Sequence, residues 1–294
     1  NPGGSAKDRP ARHMIERALA DGRLQPGDTV VESSSGNMGI GLAQACAVHG
    51  LQFICVVDPN AQSQNVAIIR ALGGQIELVD HAPDGDFLAA RLDRVAKLLE
   101  EDSRRFWPNQ YANLDNPESH ELGTIAEIDA ALGGQIDVLF VACSSTGTAR
   151  GCRDYLHRMG RKTKVVAVDA MGSTLFNGTA GPRKISGMGA GRTPELAKGQ
   201  EFDDLVRVSD VTCVAGCRRA VAREGLLVGG SGGGVLEAVR GMQDELAGLT
   251  VAAIIHDSGS RYLGTVFDPE WVERELGICE ADVTALAGLA PADS

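Results

Sequence analysis

Short β-branched runs alternating with longer helix-patterned stretches constrain this chain more than any other feature. Residues 29–31 are followed by a helical pattern at 39–49, 53–57 by 65–72, and 76–79 by a charged helix through 88–99. The alternation resumes with a strand at 138–141 and a helix at 146–159, then a strand at 165–168 and a glycine-rich loop at 172–191. Helices at 215–223 and 235–246 and a strand at 251–255 close the series. Strands separated by helices are joined by crossovers, pair in parallel, and are covered by helices on both faces. The expectation is an α/β chain of two adjoining domains that meet near residues 112–116.

The 294 residues, 43% of them hydrophobic, suffice for two adjoining cores. With 28 Lys and Arg against 39 Asp and Glu the net charge is -11, and no basic run interrupts it, which argues against nucleic acid as a partner. The longest apolar runs, such as 138–142 and 251–255, are strand-length and far short of a membrane span. Seven cysteines lack a paired CxxC arrangement; they read as small buried hydrophobes of a reducing, cytoplasmic compartment, and no metal site is expected. The 37 glycines concentrate at strand-to-helix turns, where bare backbone either makes a tight turn or lets a phosphate or planar ring approach.

Three loops of this kind carry the chemistry, together with one lysine. In NPGGSAKDR, residues 1–9, Lys7 ends a turn-forming segment just ahead of a helix at 11–19. A lysine there is ordinarily a solvated surface charge. The functional alternative is an amine that forms an imine with an aldehyde and then moves a proton. Glu32-Ser33-Ser34-Ser35-Gly36-Asn37-Met38-Gly39 opens the next helix, either as an N-cap or as a carboxylate receptor built from free N–H groups and hydroxyls. Cys143-Ser144-Ser145-Thr146-Gly147-Thr148 follows a later strand and offers the donors of a phosphate cradle without matching the Walker or dinucleotide patterns. The run 229–234, Gly-Gly-Ser-Gly-Gly-Gly, is a third such loop or a flexible turn.

The order and spacing of these motifs resemble the cysteine synthase and cystathionine β-synthase family of fold-type II pyridoxal-phosphate enzymes. The resemblance covers essentially the whole chain. It rests on NPGGSAKDR at 1–9, SSGNMG at 34–39, NQYAN at 109–113, SSTGT at 144–148, KISGMGAG at 184–191, EGLLVGGSGG at 224–233 and DSGSRYL at 257–263. It implies a tryptophan synthase β-like fold of two three-layer αβα domains. The smaller, mobile one, 1–112, would carry the Schiff-base lysine and the other, 113–294, the phosphate loop. Lys7 would hold pyridoxal 5'-phosphate, Asn37 its ring hydroxyl, Ser144, Ser145, Thr146, Gly147 and Thr148 its phosphate, and Ser231 its pyridine nitrogen. A neutral hydroxyl at that nitrogen moderates the electron pull of the ring and suits elimination and addition at a β-carbon. Ser34, Ser35, Gly36 and Met38, with the Gln110 amide, would take the substrate α-carboxylate.

The chain departs from the usual cysteine synthase pattern at Met38, where that pattern has threonine, and at Arg192, where it has an aromatic or aliphatic residue. Both departures look like the branch that joins O-phospho-L-serine to the amino group of L-glutamate on the way to 2,3-diaminopropionate for siderophores or peptide antibiotics. FWPNQYANLDN at 106–116, VAVDAMGS at 166–173 and GCRRAV at 216–221 also look like that branch. Arg192 suits either an anion contact to such acidic substrates or a plain surface position. An ordinary cysteine synthase taking sulfide is the alternative, and a non-catalytic binding member of the fold a more distant one. The resemblance further implies a homodimer. Family members carry roughly forty residues ahead of the lysine motif, which would form one more strand and an arm at the dimer contact; this sequence opens at Asn1 without them, either because the segment is absent, which would expose a sheet edge, or because it has been trimmed.

Overall fold

In the computed structural model, which describes residues 1–289, the chain forms two units, Asn1–Ser119 and His120–Ser294. The first runs α1 (Asp8–Ala20), β1 (Thr29–Glu32), α2 (Asn37–His49), β2 (Gln52–Val57), α3 (Ser63–Ala71), β3 (Gln75–Leu78), α4 (Phe87–Glu101), β4 (Arg105–Phe106) and α5 (Asp115–Ser119). Its four strands are all parallel, in the order β3-β2-β1-β4. Successive residues of a strand face opposite sides of the sheet, and β1 shows what each side meets. Val30 packs with Met14 and Ile15 of α1 and Ile40 and Leu42 of α2, whereas Val31 packs with Val95 and Leu98 of α4. Both valines are fully buried, as a parallel strand between helical layers requires.

The second unit starts with a π-helical turn, His120–Thr124, and continues α6 (Ile125–Ala131), β5 (Val138–Ala142), α7 (Gly147–Arg158), β6 (Lys164–Ala170), β7 (Asp204–Val208), α8 (Asp210–Glu224), α9 (Gly230–Gly241), β8 (Val251–Ala253), α10 (Pro269–Leu276) and α11 (Glu280–Leu286). Its parallel sheet has the order β7-β6-β5-β8. Phe140, Val166 and Val168 face α8 and α9, while Leu139, Val141, Val165 and Ala167 face α6 and α7. Both units are therefore αβα layers, and in each a central strand, β1 or β5, delivers the chain from its carboxyl end into a helix start. That is where open α/β sheets bind ligands.

One boundary differs from the sequence expectation for a physical reason. The run 229–234 is not a free loop, because all of it after Gly229 belongs to α9. A methyl group on Gly233 would lie 2.2 Å from the Cys213 carbonyl oxygen and 2.5 Å from Cys217 Sγ. The glycines are there because the backbones of α8 and α9 nearly touch, and that packing outweighs the low helix propensity of glycine. Six cysteines are buried free thiols and Cys279 is exposed. Burial pushes Cys46, Cys55, Cys152 and Cys217 up to about 12, so they stay protonated and unreactive near neutrality. Among the described residues no His, Cys, Asp or Glu cluster is placed to hold a metal ion, and no helix is long and apolar enough to cross a membrane.

Candidate active site

In the first unit the turn ahead of α1 is folded onto the helix it precedes. The Gly3 N–H donates to Asp8 Oδ2 at 2.6 Å, the Gly4 N–H to the Asn1 carbonyl at 3.0 Å, and the Lys7 N–H to Ser5 Oγ at 3.2 Å. Asp8, almost fully buried in the first turn of α1, also favours the positive end of the helix dipole. Lys7 is the N-cap residue, half-buried, with its main chain fixed by this turn and its carbonyl accepting from Ala11 N–H at 3.1 Å.

The loop after β1 reaches α2 through Gly36, whose extended backbone caps no helix N–H with a side chain. The start of α2 is thus left without a side-chain cap from Gly36. Gly39 makes this possible: a methyl group there would lie 2.0 Å from the Ser34 carbonyl oxygen, so any other residue would lift the loop off the helix. Ser33 Oγ is buried without a hydrogen-bond partner. Met38 is buried, and Ser34, Ser35, Gly36 and Asn37 are half-buried.

Sequence reasoning missed the group beneath this loop. Glu32, 1% exposed at the end of β1, accepts from Ser33 N–H and Trp107 Nε1–H, both at 2.9 Å and both on Oε1, and from Gln110 N–H on Oε2 at 3.4 Å. The carboxylate thereby ties the serine loop to the segment carrying Gln110, itself buried and held through its carbonyl by Asn116 Nδ2–H at 2.7 Å. Burial pushes the Glu32 carboxyl up from the ordinary range, and the Trp107, Ser33 and Gln110 donors pull it back down. The signal is a partner 75 residues away, which no local motif displays.

The second unit carries the other loops. Thr146, in the left-handed region at φ 66°, is the N-cap of α7 and puts no side-chain cap on it; Arg150 N–H makes the first helical bond, to the Thr146 carbonyl, at 2.9 Å. Thr146 Oγ1 instead accepts from Gln200 Nε2 at 2.9 Å. Ser145 Oγ is buried with no partner, and Thr148 Oγ1 is 3.2 Å from Nε2 of the fully buried His120. The Gly189 N–H donates to the Cys143 carbonyl at 2.7 Å, which joins the 184–191 loop to the 143–148 loop. A methyl group on Gly187 would lie 3.7 Å from Ser231 Oγ, so the same loop runs over Ser231 in the first turn of α9. Gly229, the cap of α9, donates its N–H to the Asp257 carbonyl at 3.1 Å, which joins the start of the DSGSRYL segment to that helix. Arg192 is exposed. Within this unit, then, Ser144–Thr148, the 184–191 loop and Ser231 are brought together, while Lys7, Asn37, Ser34, Ser35, Gly36, Met38 and Gln110 belong to the first unit.

Known proteins with this arrangement decide the family. A family model described as pyridoxal-phosphate dependent enzyme matches residues 1–257. The chain belongs to the pyridoxal-phosphate dependent enzyme family. N-(2-amino-2-carboxyethyl)-L-glutamate synthase of Ralstonia nicotianae is 43% identical over 93% of this chain and 82% of its own length. The protein of the same name from Cupriavidus metallidurans is 41% identical over the same shares. Among solved structures, O-ureido-L-serine synthase superposes with a TM-score of 0.85 at 33% identity, over 91% of this chain and 85% of its own.

The residues present fit the cofactor of this pyridoxal-phosphate enzyme. A phosphate needs donors and tolerates no carboxylate, and the start of α7 supplies uncapped N–H groups, the unpartnered buried Ser145 hydroxyl and the Thr148 hydroxyl. A pyridine nitrogen is matched by a buried neutral hydroxyl, and Ser231 is 3% exposed.

Proposed function

We propose that this pyridoxal-phosphate enzyme replaces the phosphate of O-phospho-L-serine with the amino group of L-glutamate, giving N-(2-amino-2-carboxyethyl)-L-glutamate and phosphate for a 2,3-diaminopropionate pathway. The observation that carries this reading is the pair of relatives of that name, each matched over 93% of the chain at 43% and 41% identity. Met38 and Arg192 support it, since both depart from the sulfide-using pattern. In the reaction the Cβ–O bond of phosphoserine breaks, a Cβ–N bond forms to glutamate, and the amine proton is lost. The reading includes a homodimer acting in the cytoplasm on small amino acids.

Bound pyridoxal phosphate supplies an electrophilic carbon for the substrate amine and an electron sink conjugated to its α-carbon. Lys7 would hold the cofactor, and its amine would be the base that takes the substrate α-proton and returns it to the same carbon. Asn37 orients the cofactor through its ring hydroxyl. Ser144, Ser145, Thr146, Gly147 and Thr148 grip the phosphate, and Ser231 faces the pyridine nitrogen. The start of α2, through Ser34, Ser35, Gly36 and Met38, receives the α-carboxylate with the Gln110 amide, held in shape by Glu32 and Gly39. Arg192 meets an anionic group of one substrate.

The test is a product assay. Purified enzyme with phosphoserine releases phosphate in the presence of glutamate, and mass spectrometry finds the conjugate. Turnover with sulfide and none with glutamate refutes the proposal in favour of a cysteine synthase, and binding of phosphoserine without any phosphate release indicates a non-catalytic protein.

A further inference from the structure

We propose that His120 is a positioning residue for the cofactor phosphate, fixing the direction in which the Thr148 hydroxyl gives its proton. The proposal rests on the reading of residues 144–148 as the phosphate cradle and adds to it a buried group outside the motif.

His120 is fully buried in the π-helical turn that packs along α7. Its Nε2 is 3.2 Å from Thr148 Oγ1 and its Nδ1 is 2.9 Å from Thr124 Oγ1. Thr124 stands where α6 begins but does not cap that helix with its side chain, so its hydroxyl serves the imidazole. All three residues lie in one unit, with Thr148 and Thr124 also buried. Single π turns often mark functional positions, and this one places two side chains four residues apart against the same helix.

The direction of the chain of bonds follows from counting protons. A threonine hydroxyl has one proton and two lone pairs, a neutral imidazole has one N–H and one bare nitrogen, and a phosphate dianion only accepts. If Nε2 were bare, Thr148 would spend its proton on the imidazole and turn lone pairs toward the phosphate, acceptor against acceptor. If Nε2 carries the proton, His120 donates to Thr148, Thr148 donates to the phosphate, and Thr124 donates to the bare Nδ1. Only the second arrangement leaves every atom matched. An imidazolium would carry the Nε2 proton as well and point Thr148 in the same direction. The Nε2–H form is therefore the one that the site selects, and it converts a rotatable hydroxyl into a preset donor.

The experiment combines cofactor titration of the full-length chain with a tautomer measurement. Loss of the imidazole in His120→Leu is expected to raise the dissociation constant for pyridoxal phosphate about tenfold, in line with partners that orient a ligating group. His120→Gln, whose amide places an N–H donor near the Nε2 position, keeps most of the affinity. Thr148→Val loses as much as His120→Leu, and the double variant loses no more than Thr148→Val alone, because the histidine acts through that hydroxyl. Nitrogen-15 NMR of the wild-type holoenzyme, which needs no variant to fold, shows His120 protonated at Nε2 and bare at Nδ1. A bare Nε2, or equal affinity in His120→Leu and wild type, overturns the proposal. If Ser145→Ala and Thr148→Val both leave the affinity unchanged, the phosphate reading of the loop fails; if they weaken binding and His120→Leu does not, only the role of His120 fails.

Discussion

The helix starts of α2 and α7 are alike in sequence and differ in what stands behind them. Each follows a central parallel strand and a serine-rich loop, and neither has a side-chain cap. Behind the first lies Glu32, a buried carboxylate that gathers three donors of the protein; behind the second lies a chain of imidazole and hydroxyls. An acceptor collects and shapes a loop but gives nothing to a ligand, whereas a donor chain adds to the grip on an anion. On the proposed reading the contrast would match two jobs: a substrate carboxylate that comes and goes in each turnover, and a cofactor phosphate that stays.

The sharpest way to separate the two jobs is Lys7→Ala. It is expected to cut turnover about 10³-fold or more, by removing the group that moves the α-proton. The phosphate cradle is untouched, so cofactor still binds, and borohydride reduction followed by mass spectrometry finds no modified residue at position 7. Complete loss of cofactor binding would break the division, since it would place the grip in the first unit. Next in size is Glu32→Gln, expected to raise KM for phosphoserine about tenfold with the cofactor dissociation constant unmoved. An effect on cofactor affinity equal to that on KM would show that the two helix starts are not separately supported.

Glu32 also predicts a pH signature. A carboxyl whose folded-state value is raised contributes stability that is fully present below the ordinary glutamate value of about 4.3 and is lost as pH rises through the raised value. The thermal midpoint of the wild type, compared with Glu32→Gln, should therefore fall across the window that starts at the ordinary value and extends upward. Parallel curves for the two proteins would rule this out. The smallest effect is expected from Arg192→Ala: an exposed guanidinium contributes little through screened contacts, so KM for the anionic substrates should rise only about two- to fivefold.

Much of the architecture was legible from the alternation of strand and helix patterns, because parallel strands buried on both faces write themselves as apolar runs. The paired strand β4, two residues long, carries no such run, and β7 is half-exposed along most of its length. The start of α9 was hidden by its own glycines, whose helical state depends on the closeness of α8 and not on local preference. Among the candidate residues, Lys7, Asn37, Ser145, Thr148 and Ser231 stand in contiguous motifs, which is why a sequence reading proposes them. Glu32 and His120 could not, since each acquires its role from partners 75 and 28 residues distant.

The crowding between α8 and α9 has a consequence for how new reactions arise on this scaffold. Ser231 is carried by a helix whose position is set by backbone resting on backbone, with Gly233 and Gly216 leaving no side chains to repack. Its address in space is thus inherited from the main chain, and its chemistry from a single codon. With Ser231 at the pyridine nitrogen, as proposed, a change of residue at 231 would alter the electronic demand on the cofactor ring while the address stays fixed. Evolution, or an engineer, can retune the reaction there without rebuilding the pocket.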